Sequence, residues 1–193
     1  MTELSEDFDA ALTWVARRHA GQRRHNTATP YISHLLSTCA IVLEEGGDER
    51  LAIAALLHDV LEDTDVGRAE SRECFGEEIY QVVDDCTDAD ADARPGVSWA
   101  ERKRLHLDRM AGFTKMSLLV IAADKVCSLQ SLVDDLSRYG VGIFDHSART
   151  AEELLKNYRD VHAVLQPTLR DRPVLSRLAL LIDQFSAALA ETS

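Results

Sequence analysis

The stretch "AIAALLHDVLEDTDV", Ala52 to Val66, decides how the rest of the chain is read. Its first half is made of small and branched apolar residues and predicts a helix buried in a core. Its second half sets His58, Asp59, Glu62 and Asp63 within six residues. On one continuous helix, residues four apart share a face, which stacks His58 with Glu62 and Asp59 with Asp63. Neighbouring His58 and Asp59 can still converge on a point beyond the helix surface. An imidazole and a carboxylate meeting there suit a divalent cation of intermediate hardness, such as Mn²⁺, Fe²⁺ or Zn²⁺. A charge cluster is also what a solvated helix end looks like. Against that, the pair follows "LAIAALL" without a break and so stands at the rim of the core.

The chain has 193 residues, enough for a single domain over 1–193 with a substantial core. Hydrophobic residues make up 46% and charged residues 28%, the balance of a soluble globular protein. No window offers the roughly 18 uncharged apolar residues of a membrane span. The opening "MTELSEDFDAALTW" is acidic where a signal peptide is basic and then apolar. A cytoplasmic protein without a membrane partner is expected. A net charge of -12 argues against binding DNA or RNA, because phosphate-backbone affinity depends on Lys and Arg. It leaves room for one small phosphorylated ligand held by a local cationic patch or a metal. Cys39, Cys74, Cys86 and Cys127 form no CxxC pair, so reduced thiols are expected rather than disulfides or structural zinc.

Helix signals dominate outward from the opening stretch. Ser5 can cap a first helix reaching about Ala20, with Phe8, Leu12 and Val15 as its apolar stripe. Gly21 ends it, and "GQRRHNTATP" reads as a loop. Pro30 suits the start of a second helix that runs to Glu45, before Gly46-Gly47. Asp48 can cap the third. An irregular polar segment follows Asp63, then a helix from about Gly76 to Cys86. "TDADADARPG" is a loop by composition. Its Asp88, Asp90 and Asp92 are spaced like the start of a calcium loop. Ala93 stands where the turn glycine belongs and Trp99 where the closing Glu belongs, which excludes calcium there. "SWAE" (98–101) is a capping box, Ser98 with Glu101, opening a basic helix that includes "ERKRLHLDRM". The run from Thr114 to Gly140 reads as one long helix. Its MSLLVIAA core could pass for a buried strand by periodicity alone, but no turn signal follows it. Two more helices are expected near 147–165 and 173–190, with Pro167 and Pro173 in their connection. No strand pair is evident, and the fold class is all-α.

Two further residues bear on the opening cluster. "PYISH" puts His34 on the second helix behind a rigid Pro-Tyr entry. Alone, His34 is also what a satisfied core histidine looks like. "VIAADK" puts Asp124 in the middle of the long helix, after six uncharged residues. A buried carboxylate needs a cation nearby, which a metal, Lys125 or an Arg elsewhere could supply.

"GQRR", "PYISH", "LLHDVLEDT", "FG" at 75–76, "ERKRL" and "AADK" occur in the order and approximate spacing of the HD-domain (p)ppGpp hydrolases. The chain resembles this family, the hydrolase half of the RelA/SpoT proteins and their small stand-alone relatives, from about Phe8 to Arg159. The resemblance implies an HD-domain helical bundle, with room for a small peripheral hairpin that the sequence does not show. It implies a Mn²⁺ site made by His34, His58, Asp59 and Asp124, with Glu62 and Asp63 handling the water and its proton. Family members remove the 3′-pyrophosphate from ppGpp or pppGpp, releasing pyrophosphate and GDP or GTP. Arg24 matches the family's arginine after the Gly-Gln pair, where it would meet the nucleotide or its phosphates. Lys103 of the basic helix and Arg149 complete the expected cationic substrate contacts. Arg149 and Tyr139 are candidates for one pocket wall, closed by the helix near 147–165.

The chain departs from the family where substrate is held. His25 replaces a frequent Lys, Ser128 a frequent Asn, and Trp99 aligns with a phosphate-holding Lys of the stand-alone relative. None of these touches the implied metal ligands. Hydrolysis of an adenine alarmone, (p)ppApp, therefore stands beside (p)ppGpp hydrolysis; removal of the 2′-phosphate of NADPH, known in relatives, is a further alternative that the loss of two cations does not favour. From another class comes a non-catalytic nucleotide-binding HD module. A phosphohydrolase for deoxynucleotides or cyclic dinucleotides is a further reading. The synthetase and regulatory portions of the long RelA/SpoT proteins are not in this sequence, so degradation without synthesis is expected. A homodimer is compatible with all of these.

Overall fold

A computed structural model describes residues 3–24, 27–88, 96–145 and 149–191. Nine α-helices follow one another among them. They are α1 (Glu6–Arg18), α2 (Ile32–Glu44), α3 (Glu49–Leu57), α4 (Val60–Asp63) and α5 (Arg68–Cys86). Then come α6 (Trp99–Met110), α7 (Lys115–Tyr139), a 3₁₀ turn (Val141–Phe144), α8 (Ala151–Leu169) and α9 (Pro173–Ala190). The described residues contain no strand, and an isolated antiparallel bridge, Arg23 to Pro30, stands where a peripheral hairpin had room.

The caps explain most boundaries. Ser5, Asp48, Thr114 and Thr150 each accept a backbone N–H of the first turn that follows, satisfying donors the helix leaves open. Gly140, at φ +69°, ends α7, and Pro173 opens α9 where a missing N–H costs nothing.

Helix α7 runs through the middle and packs against α2, α3, α5, α8 and α9. Ser117 through Ala123 are all buried, which is why this run carries no one-sided helical period. Leu51 through Leu57 of α3 are likewise all buried. Truncating Leu56 or Leu57, both fully enclosed, to Ala would cost about 2–5 kcal/mol. Both α7 and α9 are long and apolar enough to cross a membrane by length and composition, and here they pack against each other.

Four local expectations are corrected. The opening stretch is not one helix: α3 stops at Leu57, His58 and Asp59 form a turn, and α4 starts at Val60. His58 Nδ1 lies 2.7 Å from the Ala55 carbonyl, the acceptor an Asp59 amide would use in an unbroken helix. The polar segment after Asp63 is helical from Arg68, and Gly76 (φ +78°) is a kink inside α5 rather than its start. Ser98 accepts from Glu101 N–H, but the Glu101 carboxylate turns to Arg104, so the capping box there is half formed. A complete one closes at Thr150 and Glu153. Finally, Pro167 lies within α8 and not in the connection. Asp90, Asp92 and Ala93, like Ser147, lie outside the described residues.

Candidate active site

The turn between α3 and α4 is where the chemistry gathers. His58 donates from Nδ1 to the Ala55 carbonyl, which turns its Nε2 lone pair away from α3. That Nε2 lies 3.1 Å from His34 Nε2 on α2, 3.1 Å from Asp59 Oδ2 and 3.7 Å from Asp124 Oδ1 on α7. His34 Nε2 is in turn 3.3 Å from Asp59 Oδ2 and 3.2 Å from Asp124 Oδ1. Both histidines are buried, and the two carboxylates are nearly so. Two helices, α2 and α7, and the α3–α4 turn thus aim four donor groups at one point. Donor atoms about 3.1 Å apart subtend a right angle at bonds of about 2.2 Å, close to nitrogen and oxygen ligand distances on first-row divalent cations. His34, His58 and Asp59 form a group that could hold a metal ion, and Asp124 contacts both of its imidazoles.

The electrostatics demand positive charge at this point. Burial pushes Asp59 toward neutrality, but His58 and His34 outweigh it and hold the carboxyl well below the ordinary range. Burial acts likewise on Asp124, outweighed by Lys125 and the two histidines. Burial lowers both imidazoles, yet the carboxylates of Asp59 and Asp124 hold His34 above its ordinary value and His58 well above. Protons on imidazole can supply this charge, and a divalent cation can replace them. The donor set fits such an ion.

A second tier orients these groups. The Tyr31 hydroxyl donates to Asp59 Oδ2. Lys125 Nζ donates to Asp124 Oδ2 at 2.5 Å, and Ser128 Oγ to Asp124 Oδ1 at 3.1 Å. Lys125 therefore does pair with Asp124, while the other carboxylate oxygen still faces the histidines. Among the described residues, His34 Nδ1 has no hydrogen-bond partner.

Glu62 and Asp63 follow on α4. The Asp88 amide donates to Glu62 Oε1 at 2.6 Å. Burial raises Glu62 to about 7 despite the neighbouring Lys103. Asp88 is itself clamped by Arg102 at 2.9 Å and Lys103 at 2.6 Å. Lys103 thus stands in an ion pair behind Glu62 and does not line the cleft described next. The Asp63 carbonyl accepts from Gln22 Nε2 at 2.5 Å, which ties the α1–α2 loop to this segment.

A cleft of about 1090 Å³ opens from the cluster. His34, Tyr31 and Asp63 line its inner end, and Arg23, Arg24, Ser128, Tyr139 and Arg149 its walls. It is large enough for a nucleotide. Arg24 is held by its amide, which donates to the Thr29 carbonyl at 2.9 Å. The Arg149 guanidinium lies over the Trp99 ring, 5.3 Å from its centroid. A cation just ahead of α8 thereby packs on Trp99 at the start of α6. His25 lies outside the described residues.

Local sequence signals assign no part in this cluster to Tyr31, Asp88 or Gln22. Tyr31 was visible only as part of a rigid entry to α2. Asp88 sat in a segment read as loop, and its partners arrive from α4 and α6.

Comparison with known proteins identifies the family. A model described as HD domain matches residues 11–148. The chain belongs to the HD-domain family. Among HD-domain relatives, it is 34% identical over 134 residues to the guanosine-3′,5′-bis(diphosphate) 3′-pyrophosphohydrolase MESH1 of Drosophila melanogaster, covering 68% of this chain and 72% of that protein. The MESH1 protein of Homo sapiens is also 34% identical over 134 residues, with the same shares covered. The HD-domain fold matches the solved structure of a metazoan ortholog of SpoT that hydrolyses ppGpp and plays a role in starvation responses. That match has a TM-score of 0.76 and 28% identity, and it covers 95% of this chain and 98% of the other.

Proposed function

We propose that this HD-domain protein is a Mn²⁺-dependent alarmone hydrolase. It removes the 3′-pyrophosphate of (p)ppGpp with one water, giving GDP or GTP and pyrophosphate. The observation that carries this reading is the four-donor cluster of His34, His58, Asp59 and Asp124 at the inner end of a nucleotide-sized cleft. These four would hold the ion. A bound divalent ion lowers the pKa of its water and polarises a phosphoryl oxygen.

The chain's own residues do the rest. Glu62, titrating near 7, accepts the water proton at neutral pH and can return it to the leaving 3′-oxygen. Its Oε1 is kept in place by the Asp88 amide. Asp63 lines the cleft beside it and positions the water. Arg24 and Arg149 neutralise the phosphates, and Ser128 orients Asp124 as well as facing the nucleotide. Lys103 acts on substrate at one remove, by holding Asp88 and so Glu62.

In this reading residues 1–193 act as one cytoplasmic domain with a phosphorylated nucleotide as partner and no nucleic acid or membrane. The net charge of -12 and four free cysteines support it. The test is a product assay on Mn²⁺-loaded protein with ppGpp, ppApp, NADPH and dGTP side by side, with Asp59→Ala as control. Pyrophosphate and GDP from ppGpp, absent in the control, are expected. Turnover of NADPH or dGTP alone would replace the proposal with another HD phosphohydrolase, and nucleotide binding without any turnover with a non-catalytic module.

A further inference from the structure

One wall of the cleft is a single face of α7. Asp124, Ser128, Ser131 and Asp135 follow at spacings of four, three and four residues, so they line up along the helix away from the histidines. Asp124 belongs to the donor cluster. Asp135 comes eleven residues later, about 16 Å along the axis at 1.5 Å per residue. It lines the same cleft as Arg24 and Arg149. Among the described residues, no hydrogen bond or ion pair reaches its carboxylate.

A carboxylate facing a polyanionic ligand weakens binding unless it meets donors on an uncharged part of that ligand. With the scissile phosphate at the donor cluster, two arginines on the walls and Asp135 about three turns further along α7, the part from which this carboxylate can accept is the nucleobase. Tyr139, one turn beyond Asp135, and Phe144 bring aromatic faces to the same end of the cleft, suited to stacking a base. The two purines differ in what they offer a carboxylate. Guanine presents N1–H and N2–H₂ side by side, two donors for two oxygens, in the manner of a bidentate pair. Adenine presents N6–H₂ beside the N1 lone pair, so one carboxylate oxygen would face another acceptor.

Resting on the alarmone-hydrolase reading above, we propose that Asp135 selects guanine over adenine by accepting from N1–H and N2–H₂ of the base. The full-length protein, Asp135→Asn and Asp135→Ala are compared in two measurements. Calorimetric binding of GDP and of ADP needs no turnover. Steady-state hydrolysis of ppGpp and ppApp reads the same preference in kcat/KM. Wild type is expected to favour guanine about tenfold or more. Asp135→Asn can accept from adenine N6–H₂ and donate to N1, and it should shift the ratio toward adenine by about tenfold or more. Asp135→Ala should weaken the guanine nucleotide alone. An equal change for both bases, or none, overturns the proposal, since a ribose contact or a merely structural carboxylate would give that result. A guanine preference in binding that Asp135→Asn reverses, with no hydrolysis of either alarmone, would sink the hydrolase reading and leave base selection standing.

Discussion

His34 and His58, 24 residues apart in the chain, bring their Nε2 atoms within 3.1 Å of each other and share the carboxylates of Asp59 and Asp124. Two buried imidazoles approach in this way only with a proton or a cation between them. Both are held above their ordinary value, so a metal must displace protons to bind. Affinity for Mn²⁺ is therefore expected to rise between about pH 6 and about pH 8. Calorimetric titration at both ends of that range measures it, and equal affinities would remove the histidines from the ligand set.

Tyr31→Phe deletes the hydroxyl that donates to Asp59 Oδ2 and leaves the ring, which stacks on His19 at 5.3 Å between centroids. Loss of such an orienting partner lowers metal affinity about 10- to 100-fold. The melting temperature of the metal-stripped protein should move little. A variant that binds Mn²⁺ as tightly as wild type would show that Asp59 needs no such support.

Burial brings Glu62 to about 7. Activity that uses its carboxylate as base rises with pH as the proton leaves and levels off above that value. Glu62→Gln should lower kcat by about 10²- to 10⁴-fold and abolish that rising limb. A pH–rate profile retaining the same limb in the variant would assign the proton to another group.

Arg24 lines the cleft and is none of the four donors, so its interaction with phosphate is expected in the ground state and the transition state alike. Arg24→Ala is expected to raise KM by about 10-fold or more with kcat nearly unchanged. A fall in kcat at constant KM would instead put the guanidinium on the transition state.

His106 tests the fold rather than the site. It is 5% exposed, and its Nε2 lies 2.7 Å from the Asp85 carbonyl. Burial lowers it to about 4, against 6.5 for the free group. The unfolded chain therefore binds the extra proton first, and stability present above 6.5 is lost as pH falls toward 4. The loss amounts to at most about 3 kcal/mol. Urea midpoints measured across that window should fall less steeply in His106→Gln. Parallel curves for the two proteins would mean that His106 is protonated inside the fold.

Much of this architecture was legible along the chain, for local reasons. Ser5, Asp48 and Thr114 announce helices because a side-chain oxygen reaches its own first turn, and Gly140 ends one because it alone tolerates φ +69°. The helix over Arg68–Phe75 was not legible, since it buries only Ser71 and shows no apolar stripe. Arg18 holds its Glu70 from α1, and Arg68 holds Asp84 further along α5. The break at His58 was equally hidden, because the His58 ring reaches a backbone carbonyl of its own helix.

The sequence by itself determined an all-α chain and the identity and order of two histidines and four carboxylates, with a Lys beside Asp124. Those follow from periodicity, capping and spacing, which act within a few residues. Only the tertiary structure decided that His34 meets His58, that Tyr31 supports Asp59, and that Lys103 serves Asp88 rather than the cleft. Those contacts join residues brought in by different helices, and their geometry depends on how α2, α3, α6 and α7 pack. Periodicity and capping within each helix carry no information about that packing.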